Sequence, residues 1–205
     1  MFHNIINFLT IDDITNIIEN LIKKSTDSII KRFLNNIENI CLTKSIIEYI
    51  SNHTIEFNNL DLVICSYQQI TDEQIMLIPK TITKLNIYTC FKLTSNSIKH
   101  FINLTHLNIA FNNITDESLE NMNLEYLNCA CSKITINAFI NMSNLKMLNA
   151  CYVGLSSQNP KFVNLSKIKY CASQRVDRNF PHHTIMKIND VDMFKNMCHN
   201  SVVVY

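Results

Sequence analysis

Glycine is almost missing from this chain of 205 residues: there is one, Gly154, together with three prolines and no tryptophan. Folds that cradle phosphate groups need glycines at fixed spacing in tight turns, so a nucleotide site of that kind is excluded. Charge bias is missing too. Eighteen basic residues against 17 acidic ones leave a formal net charge of +1. Chains held to nucleic acid or anionic lipid by charge carry a marked excess of one sign. No stretch approaches the roughly 20 apolar residues that a membrane-spanning helix needs. Residues Met1 to Leu9 lack a basic leader and run into Asp12 and Asp13, so no secretory signal is expected. Eight cysteines without such a signal, most of them inside hydrophobic patterns, read as reduced thiols and point to the cytoplasm.

What is present is a large apolar fraction, 47%, with 17% charged residues, enough to bury a core and too much for a disordered chain. Ile and Asn together make up roughly 30% of the residues, far above ordinary usage. Triplets such as Asn113-Ile114-Thr115 and Asn164-Leu165-Ser166 follow from that Asn load and carry no argument for glycosylation.

An internal period organises the chain. Leu104, Leu107, Ile109 and Asn112, followed by Ile114 and Thr115, fit LxxLxLxxN. The same frame recurs at Leu124, Leu127, Cys129 and Ser132, and at Leu145, Leu148, Ala150 and Val153. Upstream it recurs at Ile82, Leu85, Ile87 and Cys90, and at Phe57, Leu60, Leu62 and Cys65; a weaker copy is Leu165, Ile168, Tyr170 and Ser173. Six copies about 20 to 25 residues apart match the leucine-rich repeat period. Alternating apolar residues predict a short strand with one face buried. The Asn or Cys three residues on is expected to turn inward and satisfy backbone groups of the bend, Asn112 best, Cys65, Cys90 and Ser132 less well, Val153 not at all. Thr71-Asp72-Glu73 and Thr115-Asp116-Glu117 predict capped helix starts whose acids offset free amides. Leu119 and Met122, or Ala138 and Phe139, then dock a short helix on the strand layer. The expected fold is an α/β leucine-rich repeat solenoid with a curved parallel sheet on the concave side, short convex helices and a helical N-terminal cap.

The run from Cys65 to Glu73, with Ile-Thr-Asp-Glu after a Leu/Cys ladder, resembles the cysteine-containing leucine-rich repeats of F-box proteins over roughly residues 56–175. The chain departs from that family in its short copies from Leu104 onward and in the missing Gly after Thr-Asp. The Asn- and Ile-rich composition resembles leucine-rich repeat proteins of giant viruses.

Residues 1–55 follow a helical pattern. Thr10 and Asp13 read as a capped start, followed by Ile14, Ile17, Ile18, Leu21 and Ile22. A second helix is predicted from Thr26-Asp27, carrying Ile29, Ile30, Phe33, Leu34 and Ile37, and a third from Thr43, carrying Ile46, Ile47 and Ile50. One reading makes these helices a cap for the first repeat. The other notes that Leu9 to Leu21 and Ser25 to Phe33 resemble the two helical segments of an F-box, with Thr10 in place of the family's proline and no closing Trp. That resemblance implies an exposed patch of Leu9, Ile14 and Ile18 docking the adaptor subunit of a cullin-type ubiquitin ligase. Residues 176–205, with Phe180-Pro181 breaking the pattern, are expected to close the array.

In such an array the outward strand positions line one surface. The central column is expected to hold Asp61, Asn86, Asn108, Asn128, Asn149 and Lys169. Beside it stand Asn59, Lys84, His106, Tyr126, Met147 and Lys167 on one flank, and Val63, Tyr88, Ala110, Ala130, Cys151 and Cys171 on the other. Stacked amides suit a sheet by themselves, whereas Tyr88, Tyr126, His106 and Met147 suit a protein partner. The residues expected to bind that partner are Lys84, Asn86, Tyr88, His106, Asn108, Tyr126, Asn128, Met147, Asn149 and Lys169. Catalysis and cofactors are not expected: Cys129, near His106, occupies an inward slot. Cys131, Cys151 and Cys171 repeat at the coil period and not at zinc-ligand spacing. His182, His183, Cys198 and His199 would need a closing fold to bring them together. Lys84, Lys167 and Lys169 are too dispersed for a nucleic-acid stripe.

Overall fold

The computed structural model describes residues 9–65, 67–139, 142–150 and 169–171. Seven short strands run through it: β1 (Asn39–Leu42), β2 (Leu62–Cys65), β3 (Lys84–Asn86), β4 (His106–Asn108), β5 (Tyr126–Asn128), β6 (Met147–Asn149) and β7 (Lys169–Cys171). They form one sheet in sequence order, each strand parallel to the next. Parallel neighbours need a crossover, and here each crossover is a single coil of chain. Before β1 stand α1 (Ile11–Lys24) and α2 (Asp27–Leu34); α3 (Lys44–Asn52) follows β1. The later return segments carry α4 (Asp72–Ile75), α5 (Ser95–Ile98) and two 3₁₀ turns, Asp116–Ser118 and Ile136–Phe139. This is the expected α/β solenoid of leucine-rich repeat type.

The core is one continuous spine. Leu85, Leu107, Leu127 and Leu148 sit in register across β3 to β6 and are all buried. Ile87, Ile109, Cys129 and Ala150 form a second buried row, and Ile82, Leu104, Leu124 and Leu145 a third. The expected helix-side residues Leu119 and Met122 are buried, and Ala138 packs against the spine.

Register corrects the sequence reading at both ends. Val63 pairs with Leu85, so the first frame is Leu60, Val63 and Cys65, not Phe57, Leu60 and Leu62. Both triplets satisfy LxxLxL, and the sheet selects the one that buries Val63 completely and leaves Leu62 half-buried. Tyr170 pairs with Leu148 and Lys169 with Met147, which places Lys169 in line with Lys84 and not with the asparagines. A further frame, Ile37, Ile40 and Leu42, all buried, supplies β1. Its Ile37 continues the helical spacing of Ile30 and Leu34, yet α2 stops at Leu34. The sheet therefore starts inside the segment that reads as helical. Residues 151–168 and 172–205, including Val153, Leu165, Ile168, Ser173 and the expected closing segment, lie outside the described residues.

Helix starts follow the expected chemistry except at Thr26, whose side chain makes no cap bond to α2, and at Thr115. Thr10 accepts from the Asp13 amide at 3.2 Å while Asp13 accepts from the Thr10 amide at 3.0 Å, a reciprocal cap. Thr71 and Gln74 repeat it for α4, and Thr43 caps α3. Thr115 does not cap the turn that follows it, because its hydroxyl bonds Ser95 of the preceding coil at 2.8 Å. The acids that read as charges on their own helix also reach forward. The Asp72 carboxylate accepts from the amide of Thr94 at 2.9 Å and from its hydroxyl. Ser95 accepts from the Thr115 amide at 3.0 Å. Asp116 accepts from the Thr135 amide at 2.6 Å and from its hydroxyl. At these three steps the residue after a threonine thus holds the threonine of the next coil.

Where glycine is scarce, other residues take its conformation. Thr89, Phe111 and Cys131 occupy equivalent positions after β3, β4 and β5 and have φ of 59°, 57° and 52°. The left-handed region costs an ordinary residue about 1–2 kcal/mol, and glycine in exchange adds freedom to the unfolded chain worth about 0.4–1 kcal/mol. Cys131→Gly is therefore expected to raise stability by up to about 1 kcal/mol, read as a higher urea midpoint. A midpoint below that of the parent chain would show that packing of the Cys131 side chain outweighs its backbone strain.

Candidate functional site

The side chains expected on the outer sheet face separate into a structural column and an accessible one. Asn86, Asn108 and Asn128 are buried. Each folds its Oδ1 back onto the amide two residues on: Tyr88 donates to Asn86 at 3.1 Å, Ala110 to Asn108 at 3.1 Å and Ala130 to Asn128 at 3.2 Å. This Asx-type bond holds the bend after each strand. The asparagine column therefore builds the face and is not a free edge for a bound peptide. Asn149 continues it in register with Asn128.

The flanking column carries the accessible chemistry. Lys84, His106 and Tyr126 pair in register across β3, β4 and β5, about one strand spacing apart, roughly 4.8 Å. Met147 and Lys169 continue the register on β6 and β7. Lys84 Nζ donates to Asp61 at 2.7 Å, and Thr83 donates to the same carboxylate. Burial pushes the Asp61 carboxyl up, but the Lys84 and Thr83 bonds outweigh it and hold the group below its ordinary value. On the far side Lys146 Nζ meets Glu125 at 2.6 Å. That bond holds Glu125 low and Lys146 high. Each of these two cations carries its own acid, so no basic stripe forms here.

Between the ion pairs lies a stacked pair of rings. His106 and Tyr126 have centroids 4.2 Å apart and planes 20° from parallel. His106 is buried beneath, Tyr126 half-buried above. At the end of the strands Tyr88 meets Phe111 edge to face, centroids 5.4 Å apart. Phe111 is 44% exposed and Phe91, in the bend after β3, 51% exposed. Phe111, through its contact with Tyr88, is the site residue that pattern reading misses. It fills an unassigned slot of the LxxLxLxxN frame, and nothing in the one-dimensional pattern marks its exposure.

The inward ladder behaves as expected where it is polar. Asn112 Nδ2 donates to Ile87 O at 2.8 Å and to Ala110 O at 3.3 Å. Cys90 Sγ points at the corresponding carbonyls of the previous step, Cys65 O at 3.9 Å and Tyr88 O at 3.8 Å. Ser132 bonds Cys129 O within its own coil at 2.6 Å. Cys65, expected on this ladder, is instead the last residue of β2, and its Sγ reaches Tyr67 O at 3.4 Å. Its bond with Cys90 and its burial push its thiol up, and burial does the same to Cys129. Cys129 lies in the core while His106 lies on the outer face, so the two do not converge. Among the described residues no group of three or more His, Cys, Asp or Glu is placed to hold a metal ion. Cys151, His182, His183, Cys198 and His199 lie outside the described residues. No helix among the described residues is long and apolar enough to cross a membrane.

The residues expected to dock a ligase adaptor do not form an exposed patch. Ile14 is 2% exposed and Ile18 fully buried, and Leu9 packs against the same hydrophobic cluster. The apolar stripe of α1 is used up on β1, α2 and α3, and Thr43 ties α3 to it by donating to Glu19 at 2.7 Å.

No protein-family model matches the chain, and no curated protein matches it either. Solved structures do. Internalin C2 of Listeria monocytogenes aligns at 18% identity with a TM-score of 0.47, over 76% of this chain and 80% of its own. Internalin F of the same organism aligns at 18% identity with a TM-score of 0.49, over 75% of this chain and 53% of its own. Both likenesses are distant, and the solenoid is established by the chain's own sheet order and register.

Proposed function

We propose that the chain is a non-catalytic module that binds a protein partner on the outer face of its sheet. One observation carries this reading: Tyr126 lies on the outer sheet face between two internally neutralised ion pairs, and the Tyr88–Phe111 ring pair follows at the ends of β3 and β4. Accessible aromatics on a fixed scaffold, with charge balanced at the edges, are the composition of a protein interface core and rim. The asparagine bonds beneath keep the face in one geometry, so little order is lost on binding. In this reading α1 and α2 cover the first strand as an N-terminal cap, because an end coil has no neighbour to bury its apolar side. Cys65, Cys90 and Cys129, buried and in no disulfide, accord with a reducing compartment, the cytoplasm.

Affinity capture with the whole chain, followed by mass spectrometry, identifies the partner; variants then test the face. Tyr126→Ala is expected to weaken binding about tenfold or more, as central aromatics do. Lys84→Glu sets two carboxylates side by side with Asp61 and is expected to slow association, with a salt dependence the parent lacks. Circular dichroism should show both variants folded. Unchanged affinity of every captured partner for both variants would overturn the proposal.

A further inference from the structure

Among the described residues two buried side-chain atoms have no hydrogen-bond partner, His106 Nε2 and Asn112 Oδ1. Asn112 already spends its amide on two carbonyls. His106 is different, because it can change its charge and lies 8% exposed on the proposed binding face. Its Nδ1 lies 2.8 Å from the Thr105 hydroxyl, a group that donates or accepts according to the tautomer of the ring. Its Nε2 meets no partner among the described residues. The Tyr126 ring lies over this imidazole. Charged groups face it from both sides: Lys84 and Asp61 from the coils before, Glu125 and Lys146 from the coils after.

We propose that His106 and Tyr126 form a proton-operated latch on the outer face: neutral His106 stays folded beneath Tyr126, and protonation releases the ring pair and presents an imidazolium between Asp61 and Glu125. This regulation rests on the binding reading above. The imidazolium carries hydrogen on both nitrogens, and at Nε2 the described residues offer it no acceptor, while burial and Lys84 oppose its charge. In solvent the same cation is hydrated. Burial first, and the Lys84 charge second, hold His106 below its ordinary value. The unfolded or released imidazole thus binds its proton more readily than the stacked one. The latch is therefore fully closed above about pH 6.5, the ordinary histidine value, and is lost as pH falls from there toward the lower value of the stacked ring. A partner that reads Tyr126 in place binds at neutral pH and lets go in acid.

The whole chain, isotope-labelled at His and Tyr, tests this by magnetic resonance between about pH 8 and about pH 4.5. The His106 imidazole and the Tyr126 ring signals are expected to move together, with a shared midpoint below about 6.5, while circular dichroism stays constant. His106→Phe keeps a ring in the stack without a proton site, and its Tyr126 signals are expected to stay flat; His106→Gln serves if that variant does not fold. Tyr126 signals that stay flat in the parent while His106 titrates would overturn the latch. A shared midpoint at or above about 6.5 would do so too. Partner binding by Tyr126→Ala at about pH 8, above the window, is independent of these results, so failure of the latch leaves the binding face tested on its own.

Discussion

Replacing Leu107 by Asp is expected to end cooperative folding of the chain. Leu107 is 1% exposed and pairs in register with Leu85 on one side and Leu127 on the other, so its side chain belongs to three coils at once. Losing a buried leucine costs about 2–5 kcal/mol, and an unpartnered carboxylate in the same place adds about 3–5 kcal/mol. Their sum reaches most of the roughly 5–15 kcal/mol by which folded domains are stable. Because each coil gains its core from its neighbours, the break falls in the middle of the array and separates the two halves of the spine. Urea titration followed by circular dichroism should show no folded plateau, whereas Leu107→Met, similar in volume, should cost less than about 1.5 kcal/mol. A cooperative transition within about 1 kcal/mol of the parent would mean that the spine does not depend on this rung.

Ile18→Ala is expected to destabilise the chain by about 2–5 kcal/mol, and it separates two uses of the N-terminal helices. As an exposed docking residue Ile18 would tolerate alanine within about 0.5 kcal/mol. As a fully buried one, packed with Ile14 in the same cluster as Ile40 and Leu42, it leaves a cavity that α1 and β1 cannot collapse around. Ile29, 52% exposed on α2, is the internal control, and Ile29→Ala should leave the urea midpoint nearly unchanged. Equal effects of the two substitutions would place α1 away from the spine.

The middle coils were legible because Leu85, Leu107 and Leu127 stand in unambiguous frames with one apolar residue at each required slot. At the edges two frames compete. Phe57, Leu60 and Leu62 fit as well as Leu60, Val63 and Cys65, and pairing energy between strands, which a linear pattern does not contain, chooses the second. Ile37 satisfies a helical stripe and a strand frame equally, and its fate is decided by the partner strand that β1 finds in β2. The outer face was legible as a list and not as a surface. Alternation sends Asn86, Asn108 and Asn128 outward, yet their amides return to the backbone. Polarity says nothing about that choice, because the same side chain serves a bend or a ligand equally well. Phe111 was hidden for the opposite reason: the frame leaves its slot unassigned, so an apolar residue there carries no mark of its exposure.

The forward bonds from Asp72 to Thr94, Ser95 to Thr115 and Asp116 to Thr135 have a consequence for how such an array can change in size. The Thr94-Ser95 and Thr115-Asp116 steps each offer a donor backward and an acceptor forward, so a whole turn of chain can be added or removed between two such steps with these polar groups still matched. Growth by duplication then widens the recognition wall by one strand each time, with no new joint to invent.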